Sequence, residues 1–346
     1  WIMAYTPIDK SDDYFNPVLY TGNGSTQSIT GVGFQPDFVW GKSRTAGQYH
    51  SLQDVVRGTN SLLFTNTTGA EIASGSNALT SFNSDGFSVG SWYEFNQSGQ
   101  SYVAWNWKAN GAGVSNTAGS ITSSVSANTT AGFSIVSWTG AGSAGTVGHG
   151  LGAVPKFIIT KKRNNTGNWA CYHSSLGSTQ YIYLNGTGAS ATYSGFWNNT
   201  TPTSTLISLG TDDNVTGSGD NIIAYCFAEK KGFSKFGSYT GNGSADGPFI
   251  YTGFKPAFVM TKSSSAGLNW QMYDDMRPTY NQSKDVLYAN LADAEIATGL
   301  AMDLVSNGFK WREGGGQGND SGQTYIYMAF AENPFVTSGG TPTTAR

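Results

Sequence analysis

Charge is scarce in this chain of 346 residues. Lys and Arg number 19 and Asp and Glu 22, together 12% of the sequence, about half the share of an ordinary soluble protein. A nucleic-acid binder needs a basic face to neutralise phosphates, and a net charge of −3 supplies none. Cysteine is nearly missing: Cys171 and Cys226 make neither a disulfide framework nor a four-ligand zinc site. They read as free buried thiols, with a pairing left open. The three histidines, His50, His149 and His173, show no His-Glu-x-x-His spacing. No apolar run nears the roughly 20 residues that cross a bilayer, so no membrane insertion is expected. The opening Trp1-Ile2-Met3-Ala4 lacks the basic-then-apolar pattern of a secretory leader. Gly145 to Gly152 lacks the Lys-Ser/Thr of a phosphate loop, and no Gly-x-Ser-x-Gly elbow precedes a helix. No cofactor is expected.

What is abundant is glycine, 46 residues, and aromatic side chains, 14%. They are arranged in three copies of one pattern. A [Tyr/Trp]-Thr-Gly tripeptide stands at Tyr20, Trp138 and Tyr239, each preceded by a phenylalanine at 15, 133 or 233. A proline (Pro36, Pro155, Pro256) then opens an aromatic-led apolar run ending at Lys42, Lys161 or Lys262. An aromatic after Gln or Asn follows at Tyr49, Trp169 and Trp270, which aligns Cys171 with Ser51 and Met272. Ala70-Glu71-Ile72-Ala73 returns as Ala294-Glu295-Ile296-Ala297, with a looser middle version from Ala189 to Gly195. A Ser-Gly turn opens a last strand ending on Trp107, Phe227 or Phe330.

Short runs rich in Val, Ile, Tyr, Phe and Thr, broken by Gly, Asn, Ser and Asp, predict strands. Helical periodicity is confined to single turns at Ala70–Ala73 and Ala294–Ala297. The expected class is all-β, with three tandem β-sandwich domains (jelly-roll or lectin-like) of about 100 residues each. The boundaries read as an arm over 1–14, repeat one over 15–111, and a Gly/Ser/Thr-rich linker over 112–131. Repeat two covers 132–231, repeat three 232–335, and a flexible tail 336–346. Within the linker, Ile121, Ser123, Val125 and Ala127 alternate as an extra strand would. Tight joining of repeats two and three suggests a stiff rod.

Asp13-Tyr14-Phe15-Asn16, Leu19-Tyr20-Thr21-Gly22-Asn23-Gly24-Ser25 and Gly33-Phe34-Gln35-Pro36-Asp37-Phe38-Val39-Trp40 resemble repeat proteins found in the virions of marine tailed bacteriophages. The likeness is close through repeat one, clear in repeat three and partial in repeat two. It implies a tail-fibre-like structural component on the virion surface, made in a bacterial cytoplasm. Its implied partners are other virion proteins, copies of itself (a homo-oligomer, with a trimer in view) and host cell-surface glycan. It implies no reaction. Three readings follow: a non-enzymatic adhesive surface protein, a filament joined through the N-terminal arm, and a polysaccharide depolymerase.

The densest chemical cluster is Asp274-Asp275 with Arg277 just after Trp270; its counterpart is Asp54 and Arg57 near Tyr49. An aromatic face with a carboxylate and a guanidinium suits a sugar, which makes Tyr49, Asp54, Arg57, Trp270, Asp275 and Arg277 the candidate ligand residues. The competing reading is an Asp–Arg pair bracing a loop over a core aromatic. Repeat two has Tyr172-His173-Ser174 there instead. Asp212, Asp213 and Asp220 form a weak oxygen-ligand set for a cation.

Overall fold

Three Pro-led runs, Phe38–Ser43, Pro155–Lys162 and Phe254–Ser263, are strands in the computed structural model, which describes residues 5–75, 77–278 and 280–343. Nearly all their residues are buried, as expected of continuous apolar runs covered on both faces. Each pairs antiparallel with the last strand of its own repeat: Ser101–Trp107, Asn221–Ala228 or Thr324–Pro334. The register sets Phe38 opposite Trp107, Phe157 opposite Phe227 and Phe258 opposite Phe330. The long spacing between these aromatic landmarks is therefore one sheet contact made three times.

Every repeat builds a large antiparallel sheet. In repeat one the order is Phe15–Thr21, Ser101–Trp107, Phe38–Ser43, Ser51–Asp54, Ser61–Phe64 and Ile72–Ala73. Repeat three follows it with Ser234–Thr240, Thr324–Pro334, Phe254–Ser263, Gln271–Asp274 and Leu287–Tyr288. Repeat two has eight strands, because Val114–Asn116 and Ser123–Asn128 are added beside Phe133–Thr139. The expected linker is thus sheet: Val125 faces Val136, and each added residue satisfies backbone groups that an open edge would leave to water. A smaller sheet accompanies each large one. These are Gln27–Thr30 with Gly86–Val89 and Leu79–Asn83, then Gly145–Gly148 with Leu206–Leu209, then Phe249–Tyr251 with Gly308–Trp311 and Met302–Val305.

Alternation along the Pro-led strands divides their side chains between two cores. Val39, Ile158 and Val259 turn toward the small sheet of their own repeat. Phe38 and Trp40, Phe157 and Ile159, Phe258 and Met260 turn the other way, into one continuous cluster drawn from all three repeats. Ring contacts cross every boundary there: Phe38 on Tyr225 at 4.6 Å between centroids, Phe15 on Phe330 at 5.1 Å, and Phe157 on Trp270 at 6.2 Å. The stiff rod is therefore replaced by a closed ring. The physical reason is that each large sheet is apolar on both faces, and its second face is buried only by the other repeats.

The expected single helical turns are also absent. Ile72–Ala73 pairs with Ser61 and Leu62 at a sheet edge, and Ile296 bridges Val286; a four-residue run is too short to nucleate a helix without help. One-turn helices occur instead at Tyr93–Asn96, Asp213–Thr216 and Gly316–Asn319, before the last strand of each repeat, with a further one at Ser194–Trp197. Residues 1–4 of the arm and 344–346 of the tail lie outside the described residues. The rest of the arm packs on its own chain. Ile8 enters the shared core, the Tyr5 hydroxyl donates to Gly253 O at 2.9 Å, and Asp9 accepts from Ser338 of the tail. The tail is folded back, with Val336 bridging Pro342.

Candidate functional site

The polar chemistry gathers where one repeat meets the next. In repeat one, Asp54 Oδ1 accepts the backbone N–H groups of Val56 and Arg57 at 3.0 and 2.9 Å, which shapes the turn after Ser51–Asp54. Its Oδ2 accepts Arg57 Nε at 2.5 Å and the Tyr225 hydroxyl of repeat two at 2.7 Å. Arg57 continues to Glu71 at 3.0 Å, and Glu71 takes a two-pronged bond from Arg163 of repeat two at 2.9 and 2.8 Å. The junction of repeats three and one repeats this chain. Asp274 holds Arg277 at 2.7 Å and accepts Trp105 Nε1 at 2.9 Å; Arg277 reaches Glu295 at 3.1 Å; Glu295 is clasped by Arg44 at 3.0 and 2.7 Å. Burial alone would raise the Glu71 and Glu295 carboxyls, but the flanking arginines outweigh it and hold both below the ordinary value.

The junction of repeats two and three has the same frame without the Asp–Arg–Glu–Arg chain. His173 stands where Asp54 and Asp274 stand, opposite Phe157 as they are opposite Phe38 and Phe258. Its Nδ1 accepts the Ser175 N–H at 3.1 Å, so Nε2 carries the proton and meets Tyr327 O of repeat three at 3.1 Å. Burial pushes the imidazole down to about 4, which keeps it neutral. Leu176 takes the arginine's place. Backbone bonds fix the remaining correspondence: Glu71 N donates to Arg163 O, Ser190 N to Ser264 O, and Glu295 N to Arg44 O. Ser190 and Ser264 thus replace a Glu–Arg pair.

This register corrects the sequence alignment by one residue. His50, not Tyr49, is equivalent to Trp169 and Trp270, since all three backbone N–H groups donate to an asparagine, Asn66, Asn185 or Asn290. Cys171 then matches Leu52. Cys171 and Cys226 are both free and lie in different cores, so they do not pair.

Of the six candidate ligand residues, Asp54, Arg57 and Arg277 are enclosed in the junctions, and Trp270 is buried with its Nε1 donating to Tyr183 O at 2.9 Å. A sugar cannot reach them. The Asp–Arg pair braces a turn over a core aromatic. Tyr49 is exposed and Asp275 borders a cleft, and the two sit at separate places. Asp212 caps a helical turn through Asn214 N, and Asp220 pairs with Lys162 at 3.3 Å. Among the described residues no cluster of His, Cys, Asp or Glu is placed to hold a metal.

The sequence reading missed the role of the lysine closing each Pro-led strand. All three are buried; Lys161 Nζ reaches Thr68 O of repeat one at 3.4 Å and Lys262 Nζ reaches Thr187 O of repeat two at 3.0 Å. Burial pulls Lys42 down to about 7 and Lys161 and Lys262 to about 8. Their threefold recurrence was the available signal.

Two of the outer openings border candidate residues. A cleft of about 270 Å³ is lined by Asp12, Asn16, Asp275, Glu332 and Asn333. Burial, with Glu332 adjoining, pushes the Asp275 carboxyl up to about 8, while Lys255, paired with Glu332, pulls the other way. A shallower depression of about 300 Å³ lies between Gln48, Tyr49, Tyr93 and Glu94. No curated protein and no solved structure matches the chain. A family model described as a domain of unknown function, DUF7483, matches residues 10–334, and the chain belongs to that family.

Proposed function

We propose that the chain is a non-enzymatic surface protein of a bacteriophage particle: a tail fibre, head fibre or decoration protein. In this reading each repeat is a β-sandwich of one large and one small sheet, and the three are fused into a rigid head for adhesion to a host surface or glycan. One observation carries it. Asp54, Arg57, Asp274 and Arg277, which resembled a site, are enclosed between repeats, where each pair braces a turn and meets the neighbouring repeat through Glu71 or Glu295. The outer loops carry few charges, Asp85 and Asp246 among them, and are rich in hydroxyls and amides, which suit sugar hydroxyls and are insensitive to salt screening. Its partners are other virion proteins, copies of itself and host glycan, and its place is the virion surface. The filament reading draws less support, because Tyr5, Ile8 and Asp9 of the arm lie against their own chain.

Immunogold labelling of intact virions with antibody to this chain tests the proposal. Surface labelling, together with cell binding that barely changes between low and seawater-like salt, is expected. Unlabelled virions, or steeply salt-dependent binding, would contradict it.

A second reading is favoured by one feature, the Asp275–Glu332 pair bordering a cleft with a carboxyl that stays protonated at neutral pH. A glycoside hydrolase also uses a protonated acid and a second carboxylate, but sets them about 5 Å or more apart, whereas this pair is in hydrogen-bond contact. Under that reading Asp275→Asn abolishes release of reducing ends from host polysaccharide. Under ours the wild-type chain releases none.

A further inference from the structure

The helical turn before the last strand and the loop before the Ser51–Asp54 strand meet in all three repeats, but only repeat one sets an exposed aromatic ring on each side of the meeting point; in repeat three Tyr288 is tied there by Gln317. The position before His50 is Tyr49. The matching positions before Trp169 and Trp270 are Asn168 and Asn269, whose amide oxygens accept Asn185 Nδ2 at 2.9 Å and Asn290 Nδ2 at 2.7 Å. Those asparagines close the loop on itself. Tyr49 makes no such bond; it leans on Phe64 at 5.1 Å between centroids and is 43% exposed. Across the depression Tyr93, the first residue of its helical turn, is 55% exposed. Its counterparts are Asp213 and Gly316, which also open their turns. Two large apolar faces are thus left in water.

The surroundings state what could cover them. The floor is a fixed polar chain: the Tyr102 hydroxyl donates to Gln48 Oε1 at 3.0 Å and Gln48 Nε2 donates to Gln97 Oε1 at 2.6 Å. Glu94 lines the wall and makes no ion pair among the described residues, and no Lys or Arg lines the depression. An anionic ligand, whether phosphate, sulfate or uronate, finds a carboxylate and no cation. A quaternary ammonium group prefers to be surrounded by ring faces, and two half-open rings do not surround it. A neutral pyranose fits both needs. Its C–H faces carry slight positive charge and complement the negative faces of the tyrosines. Its hydroxyls can donate to the Glu94 carboxylate and bond the two phenols.

We infer that the Tyr49–Tyr93 depression is a binding subsite for a neutral, uncharged-hexose oligosaccharide. This deepens the adhesive reading above and places its sugar contact at the two tyrosines of repeat one, with Ala292 of repeat three also lining the depression, away from the buried Asp–Arg clusters. A single open subsite of this kind binds in the roughly millimolar range, and avidity then comes from many copies on one particle.

The test uses the full chain. Saturation-transfer NMR is recorded against unmodified gluco-, galacto- and manno-oligosaccharides and against tetramethylammonium. At least one neutral oligosaccharide is expected to receive saturation, and Tyr49→Asn and Tyr93→Ala are each expected to weaken its binding about tenfold, about 1.4 kcal/mol. Tyr49→Asn installs the residue the other repeats use, so its unfolding midpoint should stay unchanged; Tyr193→Ala, an exposed ring elsewhere, should leave binding intact. Transfer to tetramethylammonium alone, transfer to no sugar in the panel, or sugar binding that survives both tyrosine variants each overturns the assignment. Beads coated with the chain and mixed with host cells separate the two claims. Cells held equally by Tyr49→Asn leave adhesion standing and remove this subsite. Sugar bound at Tyr49 with no cell capture leaves the subsite standing and removes the adhesive role.

Discussion

Two junctions of the ring carry a buried chain of charges and the third does not, although all three share one backbone frame. Between repeats one and two, and between three and one, an Asp–Arg–Glu–Arg chain crosses the boundary. Between repeats two and three the same places hold His173, Leu176, Ser190 and Ser264. The difference teaches that the ring is closed by apolar packing, since one junction manages without the Asp–Arg–Glu–Arg chain and has instead the partly exposed Lys235–Glu229 pair and the Lys262 amine on Thr187 O. Buried ion pairs are weak evidence of net stability, yet breaking one by removing a partner leaves an uncompensated charge. The charged junctions are therefore brittle under single substitution, and the neutral junction is tolerant.

The largest effect should come from Asp274→Ala. It strands the buried Arg277 guanidinium and leaves Trp105 Nε1 without its acceptor. A loss of about 3–5 kcal/mol is expected in denaturant unfolding, and a loss below about 1 kcal/mol would mean the chain of charges does not matter there. Next, His173→Asp copies the charged junctions' carboxylate into the neutral one without its arginine. A loss of about 1–3 kcal/mol is expected, and adding Leu176→Arg should recover part of it. Full recovery is not expected, because Met328 holds the place of Trp105 and Tyr225 and cannot donate to a carboxylate.

A smaller effect is spread over pH. Lys42, Lys161 and Lys262 have folded pKa values near 7 to 8, below the unfolded value near 10.4. The unfolded chain binds more protons in that interval, so stability should rise with pH from about 8 to 10. Asp275, raised to about 8, acts the opposite way, but its contribution falls mainly below that window. Lys262→Met, at the neutral junction, should flatten the rise in unfolding free energy; an unchanged slope would place its amine in water. The smallest effect belongs to Ser190→Glu with Ser264→Arg, which writes the missing Glu–Arg pair into the neutral junction. A partly exposed pair of this kind should change stability by about 1 kcal/mol or less.

Much of the architecture was legible in the sequence. The strands followed from Pro-led apolar runs such as Pro155 to Lys161, and the threefold repeat from landmarks such as Trp107, Phe227 and Phe330. The ring was harder to see. Phe38 and Val39 look alike in a sequence, and only alternation in three dimensions sends one to the shared core and the other to its own small sheet. The Asp54–Arg57 and Asp274–Arg277 pairs were visible as clusters. Their partners Tyr225 and Trp105 are far away in sequence, which is why a brace and a ligand site could not be separated by spacing alone. Tyr49 was picked out, but as the equivalent of two core tryptophans. One residue of register hid the fact that it points outward while His50 fills the interior.

Scanning calorimetry of the intact chain tests the shared core most directly. Repeats that bury one face only against each other should unfold in a single transition whose calorimetric and van't Hoff enthalpies agree. Three separable transitions, each carrying about a third of the heat, would contradict it and return the molecule to three separate tandem domains.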